Sequence, residues 1–566
     1  MYIQSAVVKN FRNFENLTVA LSPLTILAGE NDSGKSNFLY ALSLPLSISS
    51  PDFNHKRLSI SDINNQCIRK YYSAVCQSEP DDVCKALIPR ISITLQFNDT
   101  KDPYELAIVS KWLLEKNGSP VYEIQYNFAP RNDDDFLVAT KALLKDQNIG
   151  QIGFMSFPIE LYEYEIVSPN NDKAIAQADL KHVIISNIGA ERDSFSESTT
   201  SRSNSLLTKI LLSSLQDGEK KSINSAYGEF FSAIKEAKIF GTVFKFDDTF
   251  ENITNYFSEL HCIPNLPNLR NIIANITLGY GEQFLYQKGL GERNMVLIFL
   301  LFAYYKKAHK SFNLCCIEEP EAHLSVNNLR LTVDYIEKSS ALVGDLLQTI
   351  VSTHNPSIIN KLNIKHVVVF SGGKAISLSD ASEDLQNYLS KRPNFDILKL
   401  LFSRRTILVE GPTEEMLINT FIGTFSKKLS DIEVISIGQK GFKTFLDIWL
   451  LLNKGNDEKK IGIVRDFDNQ PNAQSAHDAY DSAHSNIVVR TTKGYTLEDD
   501  LASQAGNSTT LSQIFGQPDE PSSIADFMKK DKTDWMLGVC NHIADPKKLS
   551  KIALPPHIEQ VITSLS

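Results

Sequence analysis

The sequence has 566 residues, of which 42% are hydrophobic and 22% are charged, and its formal net charge is −10. These proportions are ordinary for globular domains, and they exclude a disordered chain, a collagen-like repeat and a small disulfide scaffold. At about 100–200 residues per domain, the length predicts about three to four domains. The acidic balance argues against tight binding of nucleic acid by the whole surface, but it leaves room for a local basic groove.

The cysteines and the apolar segments favour a cytoplasmic protein. The seven cysteines form no C-x-x-C pair and their number is odd, so structural zinc and a disulfide framework are disfavoured. The N-terminus lacks the basic start and apolar core of a signal peptide. The longest apolar run, Met295–Tyr305, is too short for a membrane span. We expect a buried helix there and no association with a membrane.

In chain order, the first elements predicted are two alternating strands, a short apolar strand at Leu24–Ala28, a glycine loop and a helix. Further strands are predicted at Ile91–Phe97, Val121–Phe128, Val183–Ser186, Leu314–Ile317, Thr349–Ser352 and Val367–Phe370. Residues 194–265 change to a Ser/Thr-rich stretch followed by helical spacing at Leu206–Leu215 and Ile223–Ala237, which predicts a helical insertion. After a boundary at Lys391–Phe395, strands at Thr406–Val409, Val434–Ile437 and Ile461–Val464 alternate with helices, the pattern of a parallel α/β domain.

The glycine loop matches a phosphate-binding motif in full. Residues 29–36 read G-E-N-D-S-G-K-S, which fits G-x-x-x-x-G-K-[ST] between an apolar strand and a helix. In such a loop Lys35 reaches the β- and γ-phosphates and the Ser36 hydroxyl holds Mg²⁺, while the helix start adds its positive end. The alternative, a chance glycine turn, is disfavoured by the flanking strand and helix. The residues expected to contact the nucleotide are Gly29, Asn31, Gly34, Lys35, Ser36 and Asn37.

Carboxylates at the end of a later strand support this interpretation. Leu314–Ile317 runs into Glu318 and Glu319, and a carboxylate so placed can orient Mg²⁺ while its neighbour positions a water. His354 follows another apolar strand, which favours a contact with the γ-phosphate. Taken alone, the acidic run would be interpreted as a solvated turn and His354 as a loop histidine.

Together these motifs resemble the ABC-type ATPase head of SMC and RecF-like proteins. In that comparison the turn at Asn10–Phe14 and the segment Gly289–Asn294, which includes Gly291, resemble the early turn and the signature that caps ATP from a second subunit. The signature match is imperfect because Ser-Gly-Gly-Gln is absent. The resemblance implies that Glu318 holds Mg²⁺, that Glu319 is the hydrolytic base and that His354 is the switch histidine. It also implies a homodimer at least, for which the insertion would suit a dimerisation element.

A second group of carboxylates follows the strands of the last domain. Glu410 ends a strand before Gly411, and Glu414 falls in the first turn of the next helix. Asp466 and Asp468, two residues apart, are expected to point to one side of an extended segment, and Glu498 lies in a further acidic cluster. Hard divalent ions need oxygen ligands, and two close ions need several carboxylates. Any one of these acids could instead cap backbone N–H groups, but their order favours a metal site.

This second pattern resembles a Toprim domain, with E-G-x-x-E after one strand and D-x-D after a later one. An ABC head followed by Toprim resembles the OLD (overcoming lysogenization defect) family, which includes the nuclease subunit of Gabija defence systems. By that resemblance Glu410, Glu414, Asp466, Asp468 and Glu498 hold Mg²⁺ or Mn²⁺, and Thr496 occupies the position of a small hydroxyl residue. Lys532 matches a lysine that stabilises phosphate charge, although Lys529 and Lys530 are alternatives.

The sequence therefore predicts an ATP-regulated, metal-dependent DNA endonuclease, which the family resemblance connects to anti-phage defence. The expected catalytic residues are Glu319, Lys532, Glu410 and Asp466. The expected divisions are an ATPase domain at 1–193 and 266–395, the insertion at 194–265 and the Toprim domain at 396–566. An ATP-gated DNA clamp without nuclease activity and a strand-passage or primer-making Toprim enzyme are the alternatives. Whether ATP activates or restrains cleavage, whether the chain is a dimer or a tetramer, and whether a helicase or retron partner exists stay open.

Overall fold

The computed structural model describes most of the chain, and contacts divide it into two units. Unit 1 contains Met1–Thr25 and Ser36–Ser352, and unit 2 contains Ile26–Lys35 and Thr353–Ser566. The residues described are 1–48, 56–116, 119–144, 157–169, 173–180, 182–189, 206–236, 269–274, 276–307, 312–342, 347–362, 364–379, 397–425, 429–438, 441–454, 458–530, 532–545 and 552–566, with a few single residues between these ranges.

The strands are β1 (Ile3–Phe11), β2 (Phe14–Ala20), β3 (Leu24–Ala28), β4 (Ser47–Ile48), β5 (Ile91–Phe97), β6 (Leu113–Lys116), β7 (Ser119–Pro130), β8 (Tyr162–Ser168), β9 (Lys173–Ala174), β10 (Val183–Ile188), β11 (Gly279–Tyr280), β12 (Gln283–Phe284), β13 (Phe312–Glu318), β14 (Gln348–Thr353), β15 (Val367–Ser371), β16 (Lys374–Ser377), β17 (Arg405–Val409), β18 (Ile432–Ser436), β19 (Lys460–Arg465) and β20 (Ile487–Thr491).

The α-helices are α1 (Lys35–Ser43), α2 (Asn65–Cys76), α3 (Asp81–Ala86), α4 (Pro103–Val109), α5 (Asp133–Leu144), α6 (Gln177–Leu180), α7 (Leu206–Ser214), α8 (Asp217–Glu236), α9 (Leu269–Ile273), α10 (Leu290–Lys307), α11 (Val326–Leu342), α12 (Pro356–Lys361), α13 (Ile397–Phe402), α14 (Pro412–Phe425), α15 (Phe442–Asn453), α16 (Pro471–Ala483), α17 (Leu497–Ser503), α18 (Asn507–Phe515), α19 (Pro521–Lys530), α20 (Lys532–Ala544) and α21 (Pro556–Leu565).

Unit 1 contains an antiparallel sheet in the order β2-β1-β5-β7-β8-β9, with β6 paired to β7. Alternation produces it: in β5 every second residue from Ile91 to Phe97 is buried, while the residues between them are half-buried. Apolar residues with a period of two place one face of a strand on a core. The prediction of a strand at Ile91–Phe97 is confirmed to the residue.

Unit 1 also contains parallel strands in the order β14-β13-β10-β4. Most residues of β13 and all those of β14 are buried, as expected for strands covered on both faces. Helix α10 packs on them through Leu297, Ile298, Leu301, Phe302 and Tyr305. The buried helix predicted at Met295–Tyr305 is thus confirmed. None of the described helices has both the length and the apolar character that a bilayer crossing requires.

In unit 2, β3 pairs with β15 in parallel and β15 pairs with β16. The same unit holds a four-stranded parallel sheet in the order β18-β17-β19-β20. Its strands alternate with helices, as the sequence predicts, and the carboxyl ends of the strands share one edge. Helix α21 approaches β19 so closely that a Cβ added to Gly462 would lie 2.4 Å from Cγ1 of Val561. A larger residue would therefore separate the sheet from this helix.

The predicted insertion is described only in part. Helices α7 and α8 correspond to the two helical segments expected there, whereas residues 194–205 and 237–265 lie outside the described residues. The expected boundary at Lys391–Phe395 lies outside them as well, apart from Lys391. The dimerisation role of the insertion and the four domain limits stay predictions.

Candidate functional site

The phosphate loop of unit 2 has the backbone shape that its glycines permit. Gly34 has φ +105°, and a Cβ on Gly29 would lie 2.8 Å from the carbonyl oxygen of Phe370. The Lys35 ammonium donates to the carbonyl oxygens of Gly29, at 2.8 Å, and Glu30, at 2.7 Å. The loop therefore curls around its own lysine between β3 and α1, in the strand and helix context that the sequence predicts.

In unit 1 the structure brings together two of the predicted magnesium ligands. The Ser36 hydroxyl donates to Oε2 of Glu318 at 2.9 Å. The Asn187 amide donates to Oε1 of the same carboxylate at 3.0 Å. Glu318 ends β13 and Asn187 lies near the end of β10, its parallel neighbour, so the sheet register places both side chains at the same edge. Asn187 is a candidate site residue that sequence reasoning missed, because a single asparagine in a short strand carries no motif.

The neighbouring predicted residues have unusual backbone geometry or close contacts. Glu319 has φ +43°, and its N–H donates to the Ser352 carbonyl at 2.8 Å. This non-glycine residue in the left-handed region is held where β13 and β14 end, which is typical of functional turns. A Cβ on Gly291 would lie 2.2 Å from the carbonyl oxygen of His323, so the start of α10 needs a glycine there. His354, in unit 2, is exposed directly after β14.

Asn37 is held by the early turn of unit 1. Its Oδ1 accepts from the Arg12 guanidinium at 2.8 Å, and its amide donates to Asn13 at 2.8 Å. Arg12 also forms an ion pair with Asp62 at 2.9 Å and lies over the Tyr40 ring, 4.6 Å from its centroid. These contacts connect the turn at Asn10–Phe14 to helix α1.

The second set of predicted ligands gathers at the carboxyl edge of the four-stranded parallel sheet. Glu410 follows β17 and Asp466 follows β19, while Glu498 lies in the first turn of α17, after β20. The carboxyl ends of parallel strands form the usual ligand edge of an α/β sheet. Asp468 has φ +48°, so the backbone is not extended through it. The expectation of an extended D-x-D segment is therefore wrong, because the chain turns after Asp466.

Hydrogen bonds connect these acids to the backbone around them. The Asp466 N–H donates to Oε1 of Glu410 at 3.1 Å. Oε2 of Glu414 accepts from the Gly411 N–H and from the Thr413 hydroxyl, both at 3.1 Å. A Cβ on Gly411 would lie 3.1 Å from that oxygen. The glycine thus leaves space for the Glu414 carboxylate beside the strand end.

The electrostatics identify Asp466 as the centre of the group. Burial, with the negative charges of Glu414, Glu410, Glu498 and Asp468 acting in the same direction, raises the pKa of Asp466 to about 8. The pKa of Glu410 is raised to about 7, mainly by burial; the hydrogen bond from the Asp466 N–H opposes the shift, and the charges of Asp468 and Glu414 favour it. Arg465 is buried and lowers the pKa of Glu410. Buried like charges that raise one another's pKa are common at functional sites.

These residues fit a divalent cation by their chemistry. Carboxylate oxygens are the ligands that Mg²⁺ and Mn²⁺ prefer, and a cation would relieve the repulsion that raises the pKa of Asp466. As they stand, however, no three His, Cys, Asp or Glu side chains of the described residues converge closely enough to hold one ion.

The acidic run at the start of α17 has mixed roles. Asp499 forms a capping box with Thr496 and an ion pair with Lys529 at 2.5 Å, which is the structural alternative for a carboxylate at a helix start. Glu498 is buried and contributes to the pKa of Asp466. Lys532 is the first residue of α20, and its side chain lies outside the described part. Among the alternatives that the sequence left open, Lys529 has an acidic partner in Asp499.

The two units carry an ABC-type nucleotide-binding motif set and a Toprim-like carboxylate edge, and comparison with known proteins agrees. The profile of the AAA ATPase domain family matches residues 1–359. Because this is more than half of the sequence, the chain belongs to that family. The profile described as overcoming lysogenization defect protein-like, TOPRIM domain, matches residues 401–468. The second match contains Glu410, Glu414, Asp466 and Asp468 and ends before Glu498.

Two curated relatives match about three quarters of the chain. The chain is 24% identical over 448 residues to Endonuclease GajA of Bacillus cereus strain VD045, covering 76% of this chain and 68% of the relative. Endonuclease GajA of strain HuB5-5 is 22% identical over 514 residues, covering 75% and 71%. A structure of an SMC head bound to the C-winged helix domain of ScpA covers 67% of this chain and 99% of its own, with 17% identity and a TM-score of 0.35. With a TM-score this low, it adds no evidence about the site.

Proposed function

We propose that this chain is an ATP-regulated DNA endonuclease that depends on a divalent metal. One observation carries the proposal: Asp466 is buried at the carboxyl edge of a parallel sheet, in the field of four further carboxylates. Glu414 and Glu498 are buried as well, and keeping three buried acids among like charges is unfavourable for folding alone; a metal site explains it. The endonuclease name of both relatives supports the same chemistry.

In this proposal Glu410, Glu414, Asp466, Asp468 and Glu498 hold Mg²⁺ or Mn²⁺. Ions held by these residues would supply water activation and stabilise the attacking and leaving oxygens of a phosphodiester. The chain's own contribution is to bury Glu414, Asp466 and Glu498 at one edge of the sheet, with Gly411 leaving space for Glu414. Lys532, or Lys529 beside Asp499, would balance the negative charge of the phosphate.

ATP would bind the phosphate loop, with Lys35 at the phosphates and Ser36 and Glu318 at the accompanying Mg²⁺. The direct hydrogen bond between Ser36 and Glu318 supports a shared ion there, since both side chains offer oxygen. Glu319 would be the hydrolytic base, and His354 would contact the γ-phosphate as the switch histidine. Gly291 lies close to His323. It would belong to the signature segment with which this chain caps the ATP bound by a partner subunit.

We further propose that the protein acts in the cytoplasm as a homodimer or tetramer, and that its role is anti-phage defence. The similarity to GajA, which points to Gabija systems, supports the defence role. A helicase or retron partner is compatible with the sequence, and the neighbouring genes would identify it.

A second candidate function is an ATP-gated DNA clamp without nuclease activity. The observation that favours it is the absence, within the described ranges, of three side chains already placed to chelate one ion. Plasmid DNA incubated with the protein and Mg²⁺ or Mn²⁺, with and without ATP, separates the two. The endonuclease proposal expects nicked or linear DNA that disappears with a chelator. Binding without any cleavage in either metal would favour the clamp, and relaxed circles would indicate strand passage.

A further inference from the structure

A short loop after β20 forms one wall of the carboxylate edge. It runs through Thr492, Lys493, Gly494 and Tyr495 to Thr496, the residue that caps α17. Thr492 and Thr496 are buried, whereas Lys493 is exposed and the Tyr495 side chain is 55% exposed. The loop therefore anchors its two ends and presents one cation and one aromatic ring to solvent, three residues before Glu498.

Hydrogen bonds to the buried Asp500 carboxylate hold the backbone of this loop in place. The Asp500 carboxylate accepts from the N–H of Lys493 at 2.9 Å and of Gly494 at 2.6 Å. Its other partner is His557 of α21, whose Nδ1 lies 3.1 Å from Oδ2, with both side chains buried. A Cβ on Gly494 would lie 2.8 Å from Cβ of Asp499, so the turn leaves space only for glycine. These contacts fix the backbone from which the exposed side chains of Lys493 and Tyr495 extend.

The loop is also fastened to the D-x-D turn. The Asp468 N–H donates to the Tyr495 carbonyl at 3.1 Å, and the Phe467 N–H donates to the Thr492 hydroxyl at 2.9 Å. Asp468 is a proposed metal ligand and lies directly on this connection. The positions of Lys493 and Tyr495 are therefore set relative to the acids, as the rim of the site.

An acidic centre repels the phosphates of DNA until metal binds, so a nuclease needs attractive contacts at its rim. A lysine contributes a phosphate contact, and an exposed tyrosine ring offers a surface on which a base can stack. A single exposed lysine or tyrosine is an ordinary surface feature. What distinguishes this pair is that the backbone carrying it is hydrogen-bonded on one side to Asp500 and on the other to the D-x-D turn.

We propose that Lys493 and Tyr495 form the DNA-contacting rim of the carboxylate site, with Lys493 on a backbone phosphate and Tyr495 stacked on an adjoining unpaired base. This inference rests on the proposed endonuclease function. It assigns the two residues a role in holding the substrate and none in the chemical step. Their loss should therefore raise KM and leave kcat close to that of the wild-type protein.

The test measures DNA binding and cleavage by Lys493→Ala, Tyr495→Ala and Tyr495→Phe. Lys454→Ala is the matched control, because this exposed lysine follows α15 at the opposite, amino-terminal edge of the sheet. Binding is measured by fluorescence anisotropy in Ca²⁺ over a range of salt concentrations, and cleavage in Mn²⁺. Duplex oligonucleotides with 2-aminopurine in an unpaired overhang report stacking through quenching of their fluorescence. Thermal unfolding checks that each variant is folded.

We expect Lys493→Ala to reduce the slope of log affinity against log salt by about 0.9, the contribution of one phosphate contact on duplex DNA. Tyr495→Ala should weaken DNA binding about tenfold and abolish the 2-aminopurine quenching, since base stacking on an aromatic ring is lost. Tyr495→Phe keeps the ring and should keep both properties. Lys454→Ala should bind and cleave as the wild-type protein does.

Two outcomes would overturn the inference while the proposed function stands: wild-type cleavage with unchanged KM and salt dependence in folded rim variants, or quenching that persists in Tyr495→Ala. A fall in kcat at constant KM would also contradict it, because the residues would then act in the chemical step. Absence of cleavage by the wild-type protein in every metal would instead reject the endonuclease, which makes the two failures distinguishable.

Discussion

At the end of β13 the Glu318 carboxylate accepts hydrogen bonds from Ser36 and Asn187, whereas at the end of β19 Asp466 is buried among other carboxylates. Both acids end a strand of a parallel sheet, but one meets donors and the other meets like charges. Side chains of the protein thus already provide hydrogen-bond donors to the Glu318 carboxylate. The Asp466 site keeps an electrostatic cost that a cation would remove, which is the property expected of a metal centre.

The largest effect that separates the two sites is expected from Asp466→Asn. Removing the central acid should reduce DNA cleavage about a thousandfold or more, because ion-based stabilisation of the reacting oxygens is lost. ATP hydrolysis should persist in the same variant. Plasmid cleavage and phosphate release are measured side by side. Asp431→Asn, at an exposed acid that precedes β18 and pairs with Arg405, is the control, and cleavage that survives Asp466→Asn would reject the site.

A change in the phosphate loop should act on the other site. Lys35→Ala is expected to weaken ATP binding about tenfold to a hundredfold, since a charge-assisted contact to phosphate is lost. Any influence of ATP on cleavage should disappear with it, while cleavage without nucleotide should continue. Binding of a fluorescent ATP analogue gives the measurement. Wild-type affinity in this variant would reject the assignment of the loop.

A smaller effect is expected where Glu318 meets Asn187. Asn187→Ala removes one neutral donor and should slow ATP hydrolysis about three- to tenfold. Asn187→Asp should slow it more, because a second carboxylate would face Glu318. Steady-state hydrolysis rates of the two variants form a graded series. Equal rates in both variants and the wild-type protein would show that Asn187 has only a structural role.

The smallest effect is a pH dependence of stability from the Asp466 site. Folding raises the pKa of Asp466 to about 8 and that of Glu410 to about 7. The folded chain therefore binds more protons than the unfolded chain from about pH 4 upward, and the free energy of unfolding falls as pH rises toward 8. Metal-free protein should melt lower at pH 8 than at pH 5.5, and this difference should be smaller in Asp466→Asn. An equal difference in both proteins would contradict the raised pKa of Asp466.

The sequence predicted contiguous features well and dispersed ones only in part. Strand β5 and helix α10 follow from local patterns of apolar residues, and residues 29–36 form one uninterrupted motif. Asn187 could not be found this way, because its role depends on the parallel register of β10 and β13. The role of Arg465 is likewise invisible in sequence, since its charge lowers the pKa of Glu410 only because folding brings the ends of β17 and β19 together.

The D-x-D segment shows most clearly what sequence patterns cannot predict. The Asp466 N–H donates to Glu410, but alternation could not anticipate the left-handed backbone at Asp468. That turn depends on a hydrogen bond to Tyr495, which belongs to a distant loop. Spacing within one segment therefore predicted the residue types of the site, while contacts between segments set their directions.

Anomalous diffraction from a crystal soaked in Mn²⁺ tests the central claim most directly. The account predicts manganese peaks bounded by carboxylate oxygens of Glu410, Asp466 and at least one of Glu414, Asp468 and Glu498. Asp466→Asn crystals treated in the same way should lose or weaken those peaks. Fully soaked wild-type crystals with no manganese among these oxygens would contradict the metal centre and, with it, the proposed nuclease.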